Sequence, residues 1–180
     1  MASLIELAIV TFGELVAWIL ERVGAKGKLK IYIKSYQNDF FCSDGLGGQL
    51  TSKSVDKTEH YELSFDLDFI NKSKKSKILR EINVVFNDGK KDILTHSVHE
   101  GHKQFNDALE SLNISPNSIE SYSFRTALNK NNLNAIWRTK KIYFTYKNEN
   151  NHTCKVLITK EDFSKYFENH NQEATENGQT

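Results

Sequence analysis

The sequence predicts a mostly β protein, an antiparallel two-sheet sandwich with an apolar helix before it and a short helix after it. Apolar and polar residues alternate in several segments, and polar turns separate those segments. Such alternation favours antiparallel pairing, because each strand then buries one face and exposes the other. Two sheets packed face to face can bury that many single faces. A nearly continuous apolar stretch over residues 4–23 predicts the first helix.

Three parts follow from this pattern. Residues 1–26 form the predicted N-terminal helix, residues 27–170 form the sandwich domain, and residues 171–180 form a disordered tail because they hold no apolar anchor. A short C-terminal helix is predicted around Phe163, Tyr166 and Phe167, which share one helical face.

The amino-acid composition indicates which kinds of partner and which cellular compartment to expect. The 180-residue chain carries 24 Lys and Arg against 23 Asp and Glu residues, a net charge of +1, so we expect no nucleic-acid partner. Cys42 and Cys154 are the only cysteines, which favours a reducing compartment. We therefore expect a cytoplasmic protein, attached to the inner face of the cell membrane if the first helix anchors it. One proline among many Lys, Asn and Ile residues resembles the coding bias of AT-rich bacteria.

The clearest predicted strand runs from Tyr61 to Phe69, where apolar residues alternate with Glu, Ser and Asp. Asn87-Asp88-Gly89 predicts a tight hairpin turn. Further strands are predicted at residues 29–33, 78–86, 91–98, 119–128, 141–147 and 152–159. Residues 43–57, with their glycines at 45, 47 and 48, are interpreted as a flexible loop, and residues 99–117 as irregular or briefly helical.

The order of these strands, about seven in number, resembles an immunoglobulin or fibronectin type III sandwich over residues 28–159. The Cys–Trp–Cys signature of antibody domains is absent from the sequence. The resemblance therefore implies the shared sandwich and not an antibody-type domain.

The predicted first helix has an apolar circumference wider than one contact with a sheet can cover. One narrow seam carries its small and acidic residues, namely Ser3, Glu6, Val10, Gly13, Glu14, Ala17 and Glu21. Small residues at this spacing let helices approach closely. Glu6, Val10, Gly13, Glu14, Ala17 and Trp18 are thus the candidate residues for membrane contact or helix assembly. Three alternatives stay open: membrane attachment through residues 4–23, self-assembly, and packing of the helix on its own domain.

One group of residues has metal-ligand chemistry: His96, His99 and His102 could offer three imidazoles to zinc. Their spacing matches no zinc motif, and a polar loop explains them equally well. The sequence also lacks a Gly-x-Ser-x-Gly nucleophile elbow and a phosphate-binding Gly-Lys-Ser/Thr loop. We expect no catalytic residue and no cofactor.

These observations predict a non-enzymatic interaction or scaffold protein. Its sandwich would present loops or an edge strand to a protein partner, while the first helix attaches it to a membrane or to other copies. A soluble inhibitor or immunity-type protein with the helix packed in the fold is the alternative, and a metal-dependent enzyme is the second alternative.

Overall fold

The computed structural model describes residues 27–52, 54–101 and 107–163. The predicted first helix, the continuation of the predicted C-terminal helix beyond Phe163 and the predicted tail lie outside these residues. No helix of the described part is long and apolar enough to cross a membrane.

Ten strands and one short helix make up the described residues. The strands are β1 Leu29–Ser43, β2 Gln49–Thr51, β3 His60–Asn71, β4 Lys77–Asn87, β5 Asp92–Ser97, β6 His99–Glu100, β7 Ser111–Ile114, β8 Ser118–Asn129, β9 Lys141–Lys147 and β10 Thr153–Lys160. The helix α1, Leu133–Trp137, follows a 3-10 turn at Lys130–Asn132.

Every pairing among these strands is antiparallel, as the alternating pattern predicts. One sheet has the order β2-β1-β3-β8-β6. The other has the order β10-β9-β4-β5, and β7 pairs with the first residues of β4. The predicted two-sheet antiparallel sandwich is therefore confirmed.

Three segments differ from their prediction. The strand predicted at residues 29–33 extends to Ser43 as β1. The predicted loop over residues 43–57 contains β2, which pairs with the end of β1 at Phe41–Ser43. The segment predicted as irregular or helical over residues 99–117 contributes β6 and β7, and Leu112 is buried from β7 and not from a helical turn. Both added strands of this segment are short and lack a long alternating run, so their pairing depends on the neighbouring strand and not on a local pattern.

Aromatic side chains fill the space between the sheets. Phe65, Phe69 and Phe124 from one sheet meet Phe144 of β9, with ring centroids 5.4 to 6.1 Å from the Phe144 ring. All four are at most 2% exposed. Burying one such side chain contributes about 2–3 kcal/mol, so this cluster is a main source of the sandwich's stability.

The turn between β7 and β8 depends on one carboxylate. Glu120 accepts hydrogen bonds from the Tyr122 hydroxyl at 2.7 Å, the Ser115 backbone N–H at 2.7 Å and the Ser118 hydroxyl at 2.9 Å. These donors, with Tyr122 the strongest, lower the pKa of Glu120 from 4.5 to about 2. Burial of the Tyr122 ring, together with its hydrogen bond to Glu120, raises the pKa of Tyr122 to about 12.

Glu120 should therefore make stability depend on pH. Because its pKa is lower in the folded chain, its contribution is complete above about pH 4.5 and is lost as the pH falls from there towards 2. Glu120→Gln should reduce the loss of unfolding free energy between pH 6 and pH 3, measured by urea unfolding at both values. Tyr122→Phe should reduce it in part, and an unchanged pH dependence in both variants would contradict this assignment.

Candidate protein-interaction surface

The tip of the β1–β2 hairpin is built around Asp44. Its carboxylate Oδ1 accepts the backbone N–H groups of Leu46 and Gly48, each at 2.8 Å. Gly45 and Gly47 adopt φ values of +77° and +92°, which side-chain-bearing residues rarely accept. A Cβ at Gly48 would collide with the Asp44 carboxylate. The glycines interpreted as a flexible connection thus belong to a hydrogen-bonded turn.

The base of this hairpin is tied to the sandwich. The Ser52 N–H donates to the Phe40 carbonyl at 2.7 Å, and the Thr58 hydroxyl donates to the Ser52 hydroxyl at 2.8 Å. Ser52 and Thr58 are 2% and 1% exposed, so these bonds are shielded from water. Hydrogen bonds at the base and at the tip therefore both constrain the hairpin.

This ordered turn presents a leucine to solvent. Leu46 is 94% exposed, and Leu50 and Val55, nearby in the chain, are 57% and 46% exposed. Burying a leucine side chain in a partner would contribute about 1.5–3 kcal/mol, and a turn that is already ordered lowers the entropic cost of binding. The hairpin tip, defined as residues 43–50, is a candidate anchor for a protein partner.

One side of the sandwich is open, which is a second candidate surface. No strand of the described part pairs with the outer edge of β1 from Leu29 to Asp39, or with the outer edge of β10. On the inner faces of these two strands, Leu29, Ile31, Ile33 and Val156 are only partly buried. Tyr32 is 50% exposed, as expected of an aromatic at a partner surface.

A cleft of about 750 Å³ lies at the start of this open side. It is lined by Gly27, two residues before β1, and by Leu29 of β1. Ile78 and Leu79 line it from β4, and Tyr146 and Cys154 from the β9–β10 hairpin. Away from the cleft, the Asn38 side-chain amide donates to the Glu161 carboxylate at 3.3 Å and joins the two edges. We refer to the space between β1 and β10, from the cleft to this bond, as the open-side cleft.

Cys154 lies in the wall of the open-side cleft. It is partly exposed and reduced, as is Cys42. The Asn148 side-chain amide donates to its sulfur at 3.7 Å. Burial and the nearby sulfur raise the pKa of Tyr146 far above its usual range. Cys154 is only partly buried because β10 is an edge strand.

The candidate metal ligands are used in other contacts where they are described. His96 Nδ1 lies 3.0 Å from the Thr126 hydroxyl, and His99, 7% exposed, places Nδ1 3.1 Å from the Asp107 carbonyl. His102 lies outside the described residues. Within those residues, no group of three or more His, Cys, Asp or Glu side chains could hold a metal ion.

The other candidate site residues, Glu6, Val10, Gly13, Glu14, Ala17 and Trp18, also lie outside the described part of the chain. Sequence reasoning missed the hairpin tip. The signal that could have found it is an Asp followed by Gly-x-Gly-Gly between two strand segments, which is typical of a side-chain-capped turn.

A two-sheet antiparallel sandwich is the architecture of immunoglobulin-like domains, and other β folds share it. A family model described as the YopI Ig-like domain matches residues 27–159, and the chain belongs to this family. The predicted immunoglobulin-like class is thereby confirmed.

Solved structures provide more distant similarities. A crystal structure described as the ApaA protein of Bordetella pertussis is 13% identical, with 75% of this chain and 91% of that chain covered and a TM-score of 0.35. A protein from Archaeoglobus fulgidus is 12% identical, with 70% and 92% covered and a TM-score of 0.36. No curated protein matches the chain.

Proposed function

We propose that this protein is a non-enzymatic interaction or scaffold protein whose immunoglobulin-like domain binds a protein partner through its hairpin tip. Immunoglobulin-like domains commonly mediate protein interactions, and membership of the YopI Ig-like family supports this class of function. The observation that carries the proposal is Leu46, 94% exposed on a turn that Asp44 holds in place. The expected partner offers an apolar pocket, because an exposed leucine gains most from a fully desolvated site.

A photo-crosslinking amino acid at position 50, the last residue of the hairpin tip, tests this proposal in the cells that naturally make the protein. The full chain should give a discrete adduct that is absent when the same group stands at position 90, on the exposed β4–β5 turn. Leu46→Ser should lower the adduct yield at least about tenfold, since a central apolar anchor is worth 2 kcal/mol or more.

Ile119→Ser is the matched control, because Ile119 is 70% exposed and lies outside the hairpin. Neither substitution should change stability by more than about 0.5 kcal/mol, because both side chains are exposed. Equal adduct yields in Leu46→Ser and Ile119→Ser would overturn the proposal that the hairpin tip binds the partner.

We also propose that residues 4–23 attach the protein to a membrane or to other copies of itself, which would place it at the inner face of the cell membrane. The motivation is the width of the apolar circumference predicted for this segment. Vesicle flotation and sedimentation velocity of the full chain test both modes. Ala17→Asp, on the small-residue seam, should abolish assembly. A full chain that stays monomeric and does not float with anionic vesicles would contradict both membrane attachment and self-assembly.

A further inference from the structure

The open-side cleft begins where the described part of the chain begins. Gly27 lines it, and a Cβ on Gly27 would lie 2.8 Å from the Ser73 backbone N and Cα atoms. The chain at residue 27 is thus pressed against the β3–β4 turn at the mouth of the cleft. Only residues 24–26 separate this point from the apolar segment that ends at Val23.

The segment agrees in length with the β1 edge, and its apolar side matches the partly buried apolar residues along β1 and β10. Twenty residues of helix span about 30 Å, at 1.5 Å per residue. The β1 edge from Leu29 to Asn38, at about 3.3 Å per residue, is of similar length. Leu29, Ile78 and Leu79 supply apolar lining at the mouth, where the Lys77–Glu149 ion pair and Asn148 are polar neighbours. Further along β1 and β10, the described residues leave Ile31 and Val156 only partly buried.

We propose that residues 4–23 dock as a helix in the open-side cleft of their own chain, with Ile19 and its neighbours facing β1 and β10. The contact side is the one opposite the seam of Glu6, Gly13 and Ala17. Residues 24–27 include two glycines and are long enough to reverse the chain, since connections of two to six residues commonly do so. The helix then runs back along β1.

We expect the residues 4–23 that occupy the cleft to come from the same chain and not from a second copy. A linker of this length gives an effective concentration in the millimolar range, which exceeds the concentration of free copies in ordinary solutions. The inference does not rest on the proposed function. A helix that is apolar over most of its circumference can place one side in the cleft and keep the rest for a membrane or another molecule.

Cys154 offers a direct test, because docking must shield a thiol in the cleft wall. The full chain with Cys42→Ser carries this single thiol, and its rate of reaction with a maleimide is measured without vesicles. Adding Ile19→Asp should raise the rate roughly tenfold, which corresponds to about 1.4 kcal/mol of docking free energy lost. Ala17→Asp adds the same charge roughly 160° away around the helix and should change the rate less than about twofold.

Cys42 serves as the control for global unfolding, because it lies on β1 where β2 pairs with it, away from the cleft. With Cys154→Ser, the reaction rate of Cys42 should be the same with and without Ile19→Asp. Equal Cys154 rates in the parent, Ile19→Asp and Ala17→Asp proteins would overturn the proposal. A second result would also overturn docking within one chain. If the shielding of the Cys154 thiol disappears on dilution and sedimentation velocity shows a dimer, the docked segment comes from a second copy.

The experiments distinguish a failure of the docking proposal from a failure of the proposed function. The thiol rates report the cleft alone, whereas flotation reports attachment to a membrane and crosslinking at position 50 reports the hairpin tip. Protected Cys154 in a protein that neither floats nor assembles would support docking and contradict attachment.

Discussion

Phe144→Ala is expected to lower the free energy of unfolding by about 4 kcal/mol. Phe144 is completely buried on β9, and its ring contacts the rings of Phe65, Phe69 and Phe124 from the opposite sheet. Truncation would remove apolar area, lose the ring contacts and leave a cavity between two sheets that cannot close around it.

Urea unfolding at neutral pH measures this loss, and the melting temperature should fall by about 12 °C, at about 3 °C per kcal/mol for a chain of this size. Tyr143→Ala is the matched control, because Tyr143 directly precedes Phe144 in β9, lies on the outer face and is only partly buried. It should cost less than half as much. Equal losses would show that the aromatic cluster does not hold the two sheets together as inferred.

Asn71→Ala is expected to cost about 3 kcal/mol, the second largest effect. Asn71 is 1% exposed, and its side-chain amide nitrogen lies 3.0, 3.2 and 2.8 Å from the carbonyl oxygens of Lys75, Ile114 and Ser115. Its Oδ1 accepts the N–H and hydroxyl of Ser73 at 3.0 and 2.6 Å. One side chain thus joins the β3–β4 turn to the end of β7, and its removal leaves buried polar groups without partners.

Two variants separate the donors of Asn71 from its acceptor in the same urea unfolding experiment. Asn71→Asp keeps a side-chain oxygen for Ser73 but places a carboxylate against the three carbonyls, so it should destabilise at least as much as alanine. Ser73→Ala removes only the hydroxyl bonds and should cost about 1 kcal/mol. If Asn71→Ala lowers the free energy of unfolding by less than Ser73→Ala does, Asn71 does not join the β3–β4 turn to the end of β7 as inferred.

The long strands were predictable because their pattern is local. In β3, Tyr61, Leu63, Phe65, Leu67 and Phe69 alternate with polar residues, and all five are buried. Such an alternation has one low-energy arrangement, with its apolar side against another layer. The turn at Asn87–Gly89 was equally clear, because Asp88 and Gly89 suit a tight connection between β4 and β5.

Short strands and the hairpin tip were not predictable to the same degree. β2, β6 and β7 contain two to four residues each, too few for a period to be recognised. The glycines at 45, 47 and 48 suggest flexibility by composition, but the Asp44 carboxylate converts them into an ordered turn. Whether a glycine-rich segment is ordered depends on which side chain reaches its backbone, and that is a property of the folded hairpin.

The histidine hypothesis shows the same limit. Spacing placed His96 and His99 close together in the chain, whereas the fold directs them to different partners, Thr126 and the Asp107 carbonyl. Nearness in the chain does not bring these two side chains together, because His96 lies on β5 of one sheet and His99 on β6 of the other.

The sequence by itself determined the class of the domain, its antiparallel pairing and the apolar character of residues 4–23, since each of these depends on a local pattern of side chains. Only the tertiary structure decided which strands became edges. Within the described residues, that order leaves β10, and β1 from Leu29 to Asp39, without a partner strand on their outer sides, and it places Cys154 in a cleft next to Gly27. The physical reason is that hydrophobic periodicity specifies which face of a strand is buried, whereas strand order depends on contacts between residues far apart in the chain.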